Sequence, residues 1–462
     1  MLLGPLFQRF LKDGPLCVMA RAALEYALPP QSLDSLFRRT AQRQYTRELL
    51  FSSVVELMAL VVCRMHRSVH AAYQARKETL HVSITALYDK LDLMEPEVSS
   101  ALVPFSAQRL LPVIDALRAQ LPEELAGYPL RIVDGNHLAA TEHRLKVLRT
   151  TRAAPLPGQA LVVLSPAAMQ AVDVVVCEDG HAQERSLTTS LLQRVHAGEL
   201  WMADRNFSTA PLLFGIAQKG AFFLIRQHGQ SPSWESVSEP RRIRRIPSGL
   251  VLEQAVQIID AQGNKMPLRR ITLELSQPTR DGDREIHLLT NLPAEHVGAQ
   301  KLASMYAKRW TVEAMFQELG LAFGAEIKTL GYPRASLFAF CVGLLCYNVL
   351  SVLKAALRAE HGHKEQQEVS SYYVATQISE VYRGMMIALP AEQWTGFQQQ
   401  SPEAMGQHLM QMAAHVRLEP LRRHRRGPKK PRPKREYLPA AEAKAHVSTA
   451  RLLAAAQAQQ AP

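Results

Sequence analysis

The chain has 462 residues, of which 47% are hydrophobic and 21% charged, and carries a net charge of +12. That is ordinary globular composition, long enough for a large core and more than one domain, and it excludes a disordered or fibrous chain. Five cysteines with no CxxC pair argue against a disulfide scaffold or a zinc ribbon and for reduced core thiols, as in a cytosol.

The positive charge is unevenly placed. Nine of the fourteen residues in 422–435 are Lys or Arg and none is acidic. The excess therefore sits mostly in one tail, which suits contact with a polyanion. The start, Met-Leu-Leu-Gly-Pro, lacks a basic stretch ahead of an apolar core, so no signal peptide is expected.

Residues 1–128 read as a helical region. Prolines 29, 30, 96, 104, 112 and 122 are expected to divide it into short helices. The stretch 48–66 is apolar around most of its circumference and predicts a helix buried among others. Arg38, Arg39, Arg43 and Arg47 recur across 36–48, where a helix would give them either a solvated face or one laid on phosphates.

From Leu130 the period changes. Short β-rich runs at 130–133, 160–164, 171–176, 200–203 and 221–225, with helical stretches at 185–195 and 211–219, predict the order β-β-β-α-β-α-β. That order makes an α/β fold with a mixed sheet flanked by helices, over 129–230. Residues 231–296 hold further β-rich runs without helices, separated by Gly-Asn and Asp-Gly turns, and read as an all-β insertion. Arg241, Arg242, Arg244 and Arg245 open it, on an expected loop.

Helix formers return at 297–321 without a proline, predicting one continuous helix whose Tyr306, Arg309 and Glu313 share a face. The region 297–330 would complete the core. Residues 331–416 read as a C-terminal helical region, with helices at 334–359, 369–387 and 402–416. The apolar run 337–353 is short for a membrane span and carries Tyr347, Asn348 and Ser351, so a buried core helix is expected. Residues 417–462 read as a basic, largely disordered tail, with the Ala- and Gln-rich stretch 440–460 as a candidate frayed helix. No internal repeat is visible.

Asp134 and Asp204 share a pattern, a short apolar strand that ends in Asp. A carboxylate there is held by a rigid scaffold yet open at the sheet edge, although Asp-Gly-Asn and Asp-Arg-Asn are also good turn formers. Two such Asp plus Glu313 could not all ionise comfortably without cations. Hard divalent ions supply the compensation, and a pair of them suits phosphodiester displacement.

These residues resemble the DDE transposases of bacterial insertion sequences, of the insertion-sequence-four type. That family carries a Tyr-x2-Arg-x3-Glu-x6-Lys signature, here matched by Tyr306, Arg309 and Glu313, with Trp310 and Phe316 also similar. Its first Asp falls on Asp134 in Ile-Val-Asp-Gly-Asn and its second on Asp204 in Ala-Asp-Arg-Asn-Phe. The run 286–292 resembles the strand that closes the family's insertion.

The resemblance implies a ribonuclease-H-like fold and three catalytic, metal-binding carboxylates, Asp134, Asp204 and Glu313, holding two Mg²⁺ or Mn²⁺ ions. It implies that Tyr306 and Arg309 grip DNA phosphate and that the N-terminal region binds terminal repeats, with Arg38, Arg39 and Arg43 as candidates. In the tail, Arg422, Arg423, Arg425, Arg426, Lys429 and Lys430 are the candidate DNA contacts. The implied partners are double-stranded DNA and a second copy of the chain, joined through the C-terminal helices. The implied setting is the bacterial cytoplasm, without a membrane.

Two features depart from the family. The signature Lys falls on Gly320, leaving Lys308 or Lys328 as substitutes, and no Trp stands directly ahead of the 286–292 run, the insertion's only indole being the distant Trp234. A nuclease without strand transfer, or an inactive DNA-binding relative, are the alternative readings.

Overall fold

The computed structural model describes residues 4–44, 48–229, 231–279, 282–424 and 446–460. Seven helices come first: α1 (Pro5–Asp13), α2 (Pro15–Ala27), α3 (Pro30–Thr40), α4 (Phe51–Val62), α5 (Val69–Leu80), α6 (Ile84–Asp92) and α7 (Pro96–Ala116). Proline at the first turn starts α1, α2, α3 and α7, where its missing N–H has no intrahelical partner to lose. As expected, α4 is buried nearly all round.

Two expectations about this region fail. Pro104 and Pro112 do not divide the chain; both lie inside α7. An interior proline costs roughly 3 kcal/mol. Here the helix is held by burial of Val98, Leu102, Val103, Leu110, Val113 and Ile114. Nor does one helix span 36–48: α3 stops at Thr40. The Glu95 carboxylate then accepts the backbone N–H groups of Gln42, Arg43 and Gln44 at 2.9, 3.0 and 2.9 Å, which fixes a loop instead.

The sheet strands follow: β1 (Leu130–His137), β2 (Ala154–Leu156), β3 (Gln159–Ser165) and β4 (Gln170–Cys177). After a 3₁₀ turn (Glu184–Leu187) come α8 (Thr188–Leu192), β5 (Leu200–Ala203), α9 (Ala210–Gln218) and β6 (Phe222–Arg226). The insertion supplies β7 (Trp234–Ser236), β8 (Arg241–Ile246), β9 (Gly249–Ile259), β10 (Lys265–Leu275) and β11 (Glu285–Thr290). The four arginines 241, 242, 244 and 245 lie on strand β8, not on a loop, and pair against β9.

One mixed sheet runs β4-β3-β1-β5-β6-β11-β10-β9-β7, with β8 also on β9. Strands β1, β5 and β6 are parallel; β3 is antiparallel to both of its neighbours, β1 and β4. Between β6 and α10 the described residues form strands β7 to β11, and these do not stand apart. β11 pairs antiparallel with β6, so the insertion continues the same sheet. Its backbone groups complete an edge that β6 would otherwise leave open.

The remaining helices are α10 (Ala299–Tyr306), α11 (Trp310–Ala322), α12 (Pro333–His361), α13 (His363–Gln367), α14 (Ser371–Ala388), α15 (Pro402–Ala413) and α16 (Thr449–Gln460). A short strand β12 (His446–Ser448) pairs with β2. The predicted continuous helix 297–321 is broken by a 3₁₀ turn, Ala307–Arg309, between α10 and α11. A tighter turn advances each residue by about 120° rather than 100°, so the three signature residues are not aligned by an unbroken α-helix.

The larger core lies on one face of the sheet and is centred on α12, which packs against α2, α4, α7, α15 and β4. By length and composition α12 could cross a membrane, but its apolar window is fully buried inside the protein. Asn348 fixes its place: Oδ1 accepts the Ala171 N–H at 2.8 Å, and Nδ2 donates to Ser106 Oγ at 2.9 Å and to Ala171 O at 2.8 Å. A smaller core on the opposite face is covered by α8 and α9.

Candidate active site

The parallel pairing of β1 with β5 ends at Ile132 opposite Met202. Asp134 and Asp204 each come two residues later, so they continue that register on adjacent strands, about 4.8 Å apart in the hydrogen-bonding direction. Side chains alternate between faces. Ile132 and Met202 belong to the larger core, whereas Val133, Trp201 and Ala203 belong to the smaller. Asp134 and Asp204 therefore project toward the face that carries α10–α12.

The local settings of the two Asp differ from the sequence reading. Asp134 does not end its strand. β1 continues to His137 against β3, with Asp134 opposite Val162. Asp204 does follow the last residue of β5, and its Oδ1 accepts the Asn206 N–H at 2.8 Å, capping the 3₁₀ turn Arg205–Phe207.

The segment α10–α11 meets these strands from above. Tyr306 is buried and donates its hydroxyl to the Ala203 carbonyl at 3.3 Å, beside Asp204. Arg309 places Nη1 3.5 Å from Asp134 Oδ2 and Nη2 2.9 Å from Glu313 Oε1. The guanidinium carbon also lies 4.8 Å from the Trp310 ring centre. Asp134 and Asp204 are thus direct neighbours, and Glu313 joins them across a buried guanidinium. Among the described residues no three acidic, His or Cys side chains already form a group that could hold an ion.

The electrostatics follow from this crowding. Burial pushes the Asp134 carboxyl up to about 7, and the charges of Asp204 and Glu184 add to it, against the pull of Arg309 and the Gly135 N–H. Burial alone would weaken the Arg309 charge, but Tyr306, Asp134, Glu313 and Asp204 outweigh it and its pKa is raised. Burial also raises the Tyr306 phenol, which stays a neutral donor.

Glu184, on the 3₁₀ turn after β4, has a raised pKa through burial and the nearby Asp204 charge. The sequence reading did not single it out. Nothing in Gln-Glu-Arg marks it; only the return of the chain toward β1 and β5 does.

Position 320, where the signature Lys would fall, is an exposed glycine on α11. A cation does reach it: Arg64, from the turn after α4, donates Nη2 to the carbonyls of Gly320 at 2.9 Å and Phe323 at 3.0 Å. Arg64 adopts φ 60°, a left-handed conformation costly for a side chain of its size. It lines a cleft of about 250 Å³ with Asn136, Phe316, Gly320, Glu326 and Lys328. Of the two substitutes considered, Lys328 shares this cleft, whereas Lys308 is paired with Glu124 at 3.1 Å.

The other candidate DNA contacts are scattered. Arg38 and Arg39 are exposed on the last turn of α3 and Arg43 is exposed on the loop held by Glu95. Arg422 pairs with Glu365 at 2.5 Å and Glu368 at 3.4 Å. Arg423 donates to the Val369 carbonyl at 3.0 Å and lies 3.8 Å from Glu318. These two are engaged by the chain's own acceptors. Arg425, Arg426, Lys429 and Lys430 lie outside the described residues, as does Arg47.

Residues 126–349 match the family model of the transposase DDE domain. The matched segment begins just before β1 and ends within α12, so it contains Asp134, Asp204, Tyr306, Arg309 and Glu313 together with the insertion. The match supports a DDE transposase, and such domains generally use divalent metal ions. No curated protein matches the chain. Among solved structures, the cryo-EM structure of a piggyBac transposase synaptic complex with hairpin DNA aligns at a TM-score of 0.39 and 11% identity. The alignment covers 87% of this chain and 86% of that one.

Proposed function

We propose that the chain is a DNA transposase of the insertion-sequence-four type. It binds the ends of an insertion sequence, hydrolyses a phosphodiester at each end, and joins the freed 3′-OH to target DNA. The observation that carries this reading is the in-register placement of Asp134 and Asp204 on adjacent parallel strands, with Glu313 brought alongside through Arg309. The strand order around them, with three antiparallel strands followed by two parallel ones, suits a ribonuclease-H-like core.

Asp134, Asp204 and Glu313 are the residues that would hold Mg²⁺ or Mn²⁺, two ions per site. They fit in kind, since they offer only carboxylate oxygens. A buried Asp134 forced toward its neutral form is also a group that a cation would relieve. When bound, such ions activate the attacking oxygen and stabilise the leaving one.

The chain's own residues do the positioning. Tyr306 fixes α10 to the end of β5 through the Ala203 carbonyl, and Arg309 keeps a buried positive charge beside Asp134 and Asp204, where a DNA phosphate would be attracted. The exposed Arg38, Arg39 and Arg43 and the tail cations add contacts to the phosphate backbone, which orient DNA without reading its sequence. The N-terminal helices would hold the element's terminal repeats. Two protomers, one per end, would meet through the C-terminal helical region, in the cytoplasm.

The test is a cleavage and joining assay with Mg²⁺ on DNA carrying the element's own ends. Cleavage followed by joining, both lost in Asp134→Asn, supports the reading. Cleavage without joining leaves a ribonuclease-H-type nuclease, and binding without cleavage leaves an inactive DNA-binding relative.

A further inference from the structure

We propose that strand β8 is an arginine edge that grips the phosphate backbone of the DNA duplex held at the acid pair. The inference rests on the DNA-cutting reading above and extends it to a surface that the cleavage site itself does not include.

β8 reads Arg-Arg-Ile-Arg-Arg-Ile, without an acid. Among the described strands it pairs with β9 alone, so its other edge is open. Its two isoleucines, Ile243 and Ile246, pack against the larger core. All four arginines are exposed. The register against β9 shifts at Ile243, which sets Arg241 and Arg244 opposite Glu253 and Val251, and Arg242 and Arg245 opposite Leu252 and Leu250. Residues directly opposite share a face of the sheet. Val251 belongs to the larger core, so Arg241 and Arg244 lie on the face toward which Asp134 and Asp204 project. Arg242 and Arg245 lie on the other face. Two cations thus leave each face of one open edge.

These charges are hardly compensated within the chain. Among the described residues the strand makes one ion pair, Arg241 with Glu253 at 4.0 Å, and that arginine side chain is 79% exposed. Glu253 is already held by Arg269 Nε at 2.6 Å. Four like charges within five positions repel one another, and an anion from outside the chain relieves them. Guanidinium groups match the oxygens of a phosphate in pairs.

The edge is also near the acid pair. α10 packs on β8, β9 and β10 and ends at Tyr306, beside Asp204. In the sheet, β8 stands five strand spacings from β5, roughly 24 Å, which is the length of about seven base pairs. A duplex with its scissile phosphate at Asp134 and Asp204 therefore passes within reach of the arginines.

The competing account is that these charges only guard an open strand edge against pairing with another chain. A chain carrying Arg241→Gln, Arg242→Gln, Arg244→Gln and Arg245→Gln separates the two, read on a duplex bearing the element's own end. Its Kd at about 0.1 M salt should rise about tenfold or more, and its salt slope should fall by about three to four. The phosphates whose ethylation weakens binding of the unsubstituted chain should include a group within about one helical turn, roughly 10 base pairs, of the cut that no longer matters to the Gln chain. The same four positions changed to Lys keep the charge and should keep most of the salt slope. Arg241→Gln with Arg244→Gln leaves two cations on the edge and should lower the slope by about half as much, whether or not the fourfold variant stays monomeric.

An unchanged slope and an unchanged ethylation pattern overturn the proposal and leave the arginines as edge guards. Weaker binding with an unchanged ethylation pattern reports overall charge and overturns it as well. In either case, cleavage that is lost in Asp134→Asn leaves the DNA-cutting reading standing. An unsubstituted chain that neither binds nor cuts the duplex overturns both.

Discussion

Arg309 stands between Asp134 and Glu313, 3.5 Å from the first and 2.9 Å from the second. Those carboxylates come from a strand and a helix 179 positions apart in the sequence. A single buried guanidinium is therefore the link that ties α11 to the strands bearing the two Asp residues. It also keeps the acid cluster tolerable in the absence of other cations.

Removing that charge should be felt in the free protein. Arg309→Gln leaves Asp134 without its compensating cation in a buried setting, and roughly 1–3 kcal/mol of stability should be lost. Denaturant unfolding at neutral pH measures it. Unaltered stability would mean that the ion pairs are incidental to the fold.

The Asp134 carboxyl gives the protein a pH signature. Its ordinary value is 3.8 and burial lifts it to about 7 in the folded chain. Between those values the folded state keeps a proton that the unfolded chain has released, so this group's contribution to stability declines as pH rises through that window. Asp134→Asn should therefore lose less stability than the unsubstituted chain as pH rises from 3.8 to about 7. Parallel pH profiles for the two would contradict the placement of Asp134. A divalent cation must displace the same proton, so its binding should strengthen toward pH 8.

For the reaction itself, Glu313→Gln should abolish strand cleavage while leaving binding of the element's ends largely intact. Gel-shift and cleavage assays on the same DNA read both. A variant that still cuts at the normal rate would remove Glu313 from the site.

The tail invites a separate measurement. Seven Lys or Arg lie within 425–435, beyond the two arginines held by the chain's own acceptors. Deleting 425–435 should weaken DNA binding and flatten its dependence on salt, because fewer counterions are released. An unchanged salt slope would assign those cations another task.

Asn348 offers a test of the scaffold. Asn348→Leu fills similar volume but strands the Ala171 backbone groups in the core, and should cost roughly 2–5 kcal/mol. A near-neutral result would show that α12 is located by shape alone.

Much of this was legible in the residues because it depends on neighbours along the chain. β-Branched runs marked β3 and β4, and short apolar runs marked β5 and β6. Apolar content marked α4 and α12, and Gly-Asn and Asp-Gly separated the insertion's long strands. The resemblance also singled out Asp134, Asp204, Tyr306, Arg309 and Glu313 before any coordinates. Other features depend on groups far apart in sequence, and no local pattern carries them. Burial against the core kept α7 whole through two prolines, and Glu95 stopped the helix at Thr40. The pairing of β11 with β6 turned a separate insertion into an extension of one sheet. Asp134 proved to be mid-strand because β3 continues alongside it. Glu184 came near Asp204 only because the turn after β4 folds back over Gly135. Propensity and periodicity select the elements, but which charges meet is decided by strand order and packing, where desolvation makes each unpaired group too costly to leave alone.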